Sequence, residues 1–345
     1  MTSKITLQNQ IKPILMIPVR RCGSHALRLR LNNSPDFYSP YPLHIVDYMP
    51  LLDKYGDLND DENYFHLIID IVGLQTASMV KWKGVTLDPV QLFEKLKYSP
   101  RSIHAVCWEI LFEAGRIHNA SVIMDKSMDS VHYADELMVL MPDISFLNLV
   151  RDPRAQISSM NQAIIHEWDS ILNAHIWVKA HAAALDLSER YPDRVLTIRF
   201  EDFITDESSV LAKVCDFIGI EFIPQMLDIN LSEEAQKISR LSALWKSNAS
   251  SPMIRNIDKF KYQLSEEDIQ IIESLTGKYM DHYGYERTTT SSITITPEMI
   301  HEREIVSNVN RGLAWQRLSV EDNRDYQLRR FRADYIDMVR YRLER

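Results

Sequence analysis

The sequence predicts an α/β domain: a central parallel sheet flanked by helices, a P-loop-like loop after its first strand, and a helical C-terminal extension. Three observations carry that expectation. Short apolar runs alternate with stretches of helical period, as in βαβ units covered on both faces. The first apolar run ends in a basic turn around one glycine, "RRCGSH" at residues 20–25. After residue 288 the composition changes to an arginine-rich segment without lysine.

Taken in order, "PILMIPV" (13–19), "YFHLIIDIVGL" (64–74), "ASVIMD" (120–125), "ISFLNLV" (144–150) and "RVLTIRF" (194–200) are mostly apolar runs, each expected to be a buried strand. Between them, "DPVQLFEKLKY" (88–98) opens with an Asp-Pro helix start, and "HYADELMVLM" (132–141) spaces its apolar residues three and four apart. "ILNAHIWVKAHAAALDLSERY" (171–191) is a long amphipathic segment stopped by Pro192. In an open parallel sheet, ligands bind beyond the carboxyl ends of the strands. Arg20 to His25 and Arg151 to Arg154 both follow strands directly, so both belong at that edge.

The chain divides into a domain over residues 1–288 and an Arg-rich helical extension over 289–345. "TTTSSITITPEM" is the connector, and from Glu298 onward ten arginines face nine acids. Leu328, Phe331, Tyr335 and Met338 recur at helical spacing, which predicts one apolar stripe. That stripe packs on the main core or serves as a homodimer contact.

With 345 residues, 45% hydrophobic and 25% charged, the composition is that of a globular protein. A formal net charge of -9 argues against a general binder of nucleic acid or of anionic membranes, which needs a positive face. Cys22, Cys107 and Cys215 are too few and too scattered for a disulfide framework or a zinc site. "MTSKITLQNQIKP" lacks the apolar centre of a signal peptide, and no run of 18 apolar residues occurs. A soluble, cytoplasmic protein is the expectation.

A basic turn between strand and helix offers unpaired N–H groups, the positive end of a helix dipole, a hydroxyl and an arginine, which together suit phosphate or sulfate. Gly23 allows close backbone approach, and Arg21 can pair with an anion bidentately. The triphosphate-binding pattern G-x-x-x-x-G-K-[ST] is not met, because Ser24 and His25 follow Gly23 where a lysine is needed. His166, His175 and His181, spaced 9 and 6 apart, do not form a helical metal-ligand pair, and no metal site is expected.

Together, "RRCGSH", "VRDPRAQISS" and "VLTIRFEDFITDESSVLAKVCDFIGIEF" resemble the sulfotransferase family that uses 3′-phosphoadenosine 5′-phosphosulfate (PAPS), over about residues 12–285. The resemblance implies that Arg21, Cys22, Gly23, Ser24 and His25, with Ala26 behind them, form the 5′-phosphosulfate loop. That loop usually reads Arg or Lys, Ser, Gly and two Ser/Thr residues, so Cys22 and His25 depart from it. Arg151 and Ser159 match the pair that holds the 3′-phosphate, and Phe200 in "RFED" falls beside the adenine. Lys126 in "VIMDKSM" would neutralise charge on the bridging oxygen as the sulfuryl group leaves.

The family implication is sulfuryl transfer to a hydroxyl, less favourably an amine, of a small-molecule or carbohydrate acceptor, with adenosine 3′,5′-bisphosphate as product and no metal needed. The acceptor must lose a proton to a base, and His44 in "NNSPDFYSPYPLHI" is the leading candidate; His66 and His104 are the others. Tyr41, Tyr48, Tyr55, Tyr64, Trp82 and Trp108 supply aromatic surface in the stretch where acceptors bind in the family, or else build the core; nothing in their spacing picks one use. Two rival readings remain open: a nucleotide-dependent kinase, and a non-catalytic nucleotide-binding protein acting through its Arg-rich tail.

Overall fold

The computed structural model describes residues 11–250, 254 and 257–344. Most of the N-terminal stretch read above for a signal peptide, residues 1–10, lies outside the described residues, as does the last residue of the extension. The chain order is β1 (Lys12–Ile17), α1 (Ser24–Leu31), β2 (Phe37–Tyr38), α2 (Asp61–Thr76), α3 (Pro89–Leu96), α4 (Ile103–Ile117), β3 (Val122–Asp125), α5 (Ala134–Leu140), β4 (Ser145–Val150), α6 (Pro153–Met160), α7 (Ser170–Arg190) and β5 (Val195–Arg199). It continues with α8 (Phe200–Thr205), α9 (Glu207–Ile218), α10 (Glu233–Ile238), α11 (Phe260–Gln263), α12 (Glu266–Tyr283), α13 (Pro297–Glu321) and α14 (Asn323–Leu343).

The five strands form one sheet in the order β2-β3-β1-β4-β5, and every pairing is parallel. Ile14 of β1 pairs with Met124 on one side and Ser145 on the other, which puts β1 at the centre. Two apolar cores lie on the two faces of the sheet. Leu15, Ile17 and Phe146 belong to one; Ile14, Met16 and Leu147 belong to the other. Strand residues that alternate between two dry faces must be apolar throughout, which is why these strands read as unbroken runs.

The expected strand at 64–74 is instead the core of helix α2. Its buried Tyr64, Leu67, Ile68, Ile71 and Val72 follow the i, i+3, i+4, i+7 pattern, and Asp60 caps it by accepting from the N–H groups of Glu62 and Asn63. The edge strand β2 has two residues and left no sequence pattern to find.

Helix α1 forms despite its alternating "LRLRL". Arg28 and Arg30 are buried, Arg28 against Glu234 and the Ser39 carbonyl (2.5 Å), Arg30 against Glu207 and over the Phe203 ring (5.7 Å). Buried guanidinium groups need such partners, and acids from two distant segments supply them.

The C-terminal helices form an antiparallel hairpin that folds back on the domain. Serine and arginine of α13 (Ser307, Arg311) bond to Glu167, at 2.6 and 2.5 Å. Helix α14 docks through Asp325, Arg329, Arg332, Ile336 and Val339 rather than through the expected stripe. Of that stripe Tyr335 packs inward, bonding to the Asp70 carbonyl at 2.8 Å, while Phe331 and Met338 are 67% and 55% exposed. The face that docks mixes charged Asp325, Arg329 and Arg332 with apolar Ile336 and Val339, so apolar periodicity pointed one residue out of phase. Among the described residues no helix is long and apolar enough to cross a membrane.

Candidate active site

Strand topology assembles the site. Because β3, β1 and β4 are parallel neighbours, their carboxyl ends share one edge. The turn at 20–23 leaves β1 there, Lys126 follows β3 directly, and Arg151 follows β4 directly. Three cations distant in sequence therefore meet at one sheet edge.

The turn itself has unusual backbone. Arg21 has φ 72° and Gly23 has φ 93°, both left-handed, so the chain reverses sharply into α1. A Cβ on Gly23 would lie 2.1 Å from Cε2 of Phe200, so that ring occupies the space a side chain would need. Arg21 Nε donates to Ser159 Oγ at 3.0 Å, and Arg151 Nη1 donates to the Arg21 carbonyl at 3.0 Å. The Arg151 guanidinium lies 4.9 Å over the Phe200 ring. Arg21, Ser159, Arg151 and Phe200 thus form one unit around the glycine.

On the other side of the turn, Lys126 Nζ reaches Ser24 Oγ at 3.4 Å and His25 Nε2 at 3.2 Å. A cavity of about 380 Å³ opens beside them, lined by Arg20, Arg21, Ser24, His25, His44 and Lys126 at its floor. His44 also has a left-handed backbone (φ 53°), and its N–H donates to Ser127 Oγ at 3.2 Å.

The electrostatics of the floor are those of a dry, cation-rich site. Burial, and then Arg28 and Arg20, bring Lys126 down to about 7. Burial and the neighbouring Arg151 bring Arg21 down to about 10. Burial and Lys126 hold His25 well below the ordinary imidazole value, and burial and Arg20 do the same to His44. Both imidazoles are consequently neutral at pH 7. No carboxylate among the described residues forms an ion pair with Arg21, Arg151 or Lys126, whereas Arg20 is paired with Asp129 at 2.7 Å.

Two residues expected in the anion loop take no side-chain part in it. Cys22 is fully buried in the core beneath the turn, and burial raises its thiol to about 11. The N–H of Ala26 already donates to the Gly23 carbonyl at 2.9 Å, which closes the first turn of α1. The other candidate bases are also elsewhere: His66 is exposed on α2, and His104 lies buried on α4 against Glu136 at 3.3 Å. Of the six aromatic residues expected near the acceptor, Tyr41 alone lines the cavity; Tyr48, Tyr55, Tyr64, Trp82 and Trp108 are core.

Sequence reasoning missed the opposite wall. Trp245, Trp315, Arg329, Arg332 and Ile336 line the same cavity, and four of these five come from the C-terminal hairpin. The docking residues Asp325, Arg329 and Arg332 are charged, so no hydropathy pattern marked them.

The sheet order and this cation-bearing turn define a class, a parallel α/β fold with a cluster of cations at the end of its central strand. The sequence pattern described as the sulfotransferase family matches residues 13–224, more than half of the chain. The protein belongs to the sulfotransferase family. Among solved structures it resembles the sulfotransferase domain of the Synechococcus PCC 7002 olefin synthase, with TM-score 0.54 and 20% identity over 81% of this chain and 96% of that one. The sulfotransferase domain from the curacin biosynthetic pathway is similar, with TM-score 0.53 and 20% identity over 81% and 99%. At that identity the likeness concerns the fold, and the helical C-terminal part accompanies the parallel sheet in this chain.

Proposed function

We propose that this protein transfers a sulfuryl group from PAPS to a hydroxyl group of a small acceptor. The observation that carries the reading is the set of three cations without carboxylate partners, Arg21, Arg151 and Lys126, gathered around a left-handed glycine at the end of the central strand. Burying unpaired charge is costly, so such a cluster is built for an anion that arrives from outside. Two separated groups of cations suit a donor with phosphate at two positions. Lys126 and Ser24 face the cavity, while Arg151 and Ser159 sit behind Arg21.

PAPS, when bound, supplies the electrophilic sulfuryl group and departs as adenosine 3′,5′-bisphosphate. The residues present fit it. Left-handed backbone at Arg21 and Gly23 turns the end of the central strand sharply into α1, and Arg151 Nε is buried without a partner. Arg21, Ser24 and the turn would hold the 5′ end, and Arg151 with Ser159 the 3′-phosphate. The Phe200 ring, packed on Gly23 and under Arg151, supports both groups and offers a flat face beside them.

His44 is assigned the proton of the attacking hydroxyl. It is neutral, it lines the cavity, and its Nδ1 has no partner. His25 is less free, because its Nε2 is already engaged by Lys126 Nζ at 3.2 Å. Lys126 in turn stabilises negative charge on the oxygen that separates from sulfur.

Calorimetric titration with adenosine 3′,5′-bisphosphate, AMP and ATP with magnesium tests the reading. The bisphosphate is expected to bind far more tightly than the other two. Arg151→Ala is expected to weaken it by about 1.5–3 kcal/mol, as befits a lost charged hydrogen bond. Equal or tighter binding of ATP with magnesium, or indifference to Arg151, would replace this proposal with a kinase or a non-catalytic binder.

A further inference from the structure

The donor-side cations and the C-terminal arginines differ in one respect. Among the described residues Arg21, Arg151 and Lys126 form no ion pair with an acid, but every hairpin arginine at the cavity already does. Arg332 pairs with Asp47 at 3.1 Å, Arg329 with Asp325 at 2.9 Å, and Arg340 with Asp337. The hairpin wall therefore adds side chains to the cavity without adding spare positive charge.

What it adds is apolar and aromatic surface. Trp315, Ala333 and Ile336 of the hairpin face the cavity together with Met79, Leu244 and Trp245. The aromatic groups run continuously from this wall to the imidazoles: Trp245 meets Tyr41 at 5.6 Å, and Tyr41 meets His44 at 6.0 Å and His25 at 5.9 Å. On α14, Ala333, Ile336, Asp337 and Arg340 recur at i, i+3, i+4 and i+7, so one face of the helix is turned to the cavity.

Helix α14 is also tied to the transfer end of the cavity. Arg332 Nη2 donates to the His44 carbonyl at 3.1 Å, so the helix is joined to the strained residue assigned as base. Ser242 bonds to Asp325 at 2.6 Å, and Arg342 pairs with the buried Asp70. These contacts hold the wall in register with the floor.

We infer that the C-terminal hairpin forms the acceptor-binding wall, with Ile336, Ala333 and Trp315 as specificity residues, and that the acceptor is an uncharged alcohol or phenol with an apolar body. The inference rests on the sulfuryl-transfer reading for the role of the hydroxyl, and on the cavity alone for the class of molecule. A sugar would set part of its hydroxyls against Met79, Leu244, Trp315 and Ile336, where buried polar groups lose water without gaining partners. An anionic acceptor would compete with aspartates for arginines that are already neutralised.

The test is calorimetry on the full chain with three probes: 2-naphthol, 6-hydroxy-2-naphthoate and N-acetylglucosamine, each with and without saturating adenosine 3′,5′-bisphosphate. The neutral 2-naphthol is expected to bind at least ten times more tightly than either of the others. Ile336→Asp and Ala333→Phe, one adding charge and one filling space, should each weaken 2-naphthol at least tenfold while bisphosphate affinity stays as in the parent. Equal or tighter binding of the naphthoate or the sugar, no binding of 2-naphthol, or indifference to both variants overturns the inference. Failure of the bisphosphate to bind, with 2-naphthol behaving as expected, would overturn the donor reading and leave the pocket assignment standing.

Discussion

Phe200 lies flat against Gly23, filling the space into which any side chain at that position would project. The contact joins the end of β5 to the turn after β1, across β4, and it places the ring between the anion loop and Arg151. A glycine is required here twice over, by the φ of 93° and by the ring. Gly23→Ala should therefore lower stability by about 1–3 kcal/mol, the range for a side chain forced into left-handed backbone and displaced packing. It should also weaken adenosine 3′,5′-bisphosphate at least tenfold. Chemical denaturation and calorimetry read the two effects. If the ring contact contributes, Phe200→Ala added to Gly23→Ala will cost less than it does alone.

Lys126 is spatially separable from the groups proposed above to hold the donor. It lies at the cavity floor beside Ser24 and His25, whereas Arg151 and Ser159 flank Arg21 on the far side of the turn. Lys126→Met is expected to lower kcat by about 10²–10³, the usual cost of removing one preorganised stabiliser of developing negative charge. Bisphosphate affinity should change far less than it does in Arg151→Ala. A comparable loss of affinity in both variants would assign Lys126 to binding rather than to catalysis.

The sheet was largely legible in the sequence, and the reason is physical. β1, β3 and β4 are buried on both faces, so each appears as a mostly apolar run, and the basic turns stand out at their ends; the edge strand β5 is half buried and alternates instead. The helix over 61–76 was mistaken for a strand because its buried face is broad enough to make the run nearly continuous. Arg21 and Arg151 stood out because each follows a buried strand directly, whereas Lys126 was singled out by the family resemblance; the structure brings the three to one sheet edge. The acceptor wall was not found. Its helix docks through Asp325, Arg329 and Arg332, and pairs formed between segments as distant as Asp47 and Arg332 leave no local pattern.

The histidines make a prediction about acid stability. His25 and His44 are held below the ordinary imidazole value in the fold, chiefly by burial, with Lys126 and Arg20 adding to it. Below that ordinary value, about 6.5, the unfolded chain takes up protons that the folded chain refuses, so stability falls as pH falls through this window. Thermal melts between pH 7.5 and about 5 should show a declining Tm, and the His25→Gln, His44→Gln double variant should show a shallower decline. An unchanged slope in the double variant would mean that other groups govern the acid limb. In the active enzyme the same depression keeps both imidazoles neutral, while Lys126, at about 7, loses its proton as pH rises. The kcat/KM profile is thus expected to fall on the alkaline side of neutrality, and binding of the anionic donor should push that limb upward in the kcat profile.

The last prediction concerns the anchor of the hairpin. Asp70 is a buried acid in the middle of α2, and it is the point where three segments meet: Tyr55 donates to its carboxylate at 2.5 Å, Arg342 pairs with the same oxygen, and the Tyr335 hydroxyl donates to its backbone carbonyl at 2.8 Å. Tyr335 also fills the space above Gly73, one turn along α2. Asp70→Ala leaves Arg342 without its partner and Tyr55 with the Tyr48 hydroxyl alone, and a lost hydrogen bond to a charged group costs about 1.5–3 kcal/mol. Because Arg342 is half exposed, most of that loss should come from the buried tyrosine side, and the domain should remain folded. The effect expected is local: α14 loosens, trypsin cuts its arginines at least several times faster, and binding of 2-naphthol weakens along with it. Limited proteolysis read by mass spectrometry, beside bisphosphate titration of the same sample, distinguishes this from general unfolding. Intact donor binding with faster cleavage in α14 is the expected pair, whereas a protease pattern identical to the parent would mean that Asp70 does not hold the helix in place.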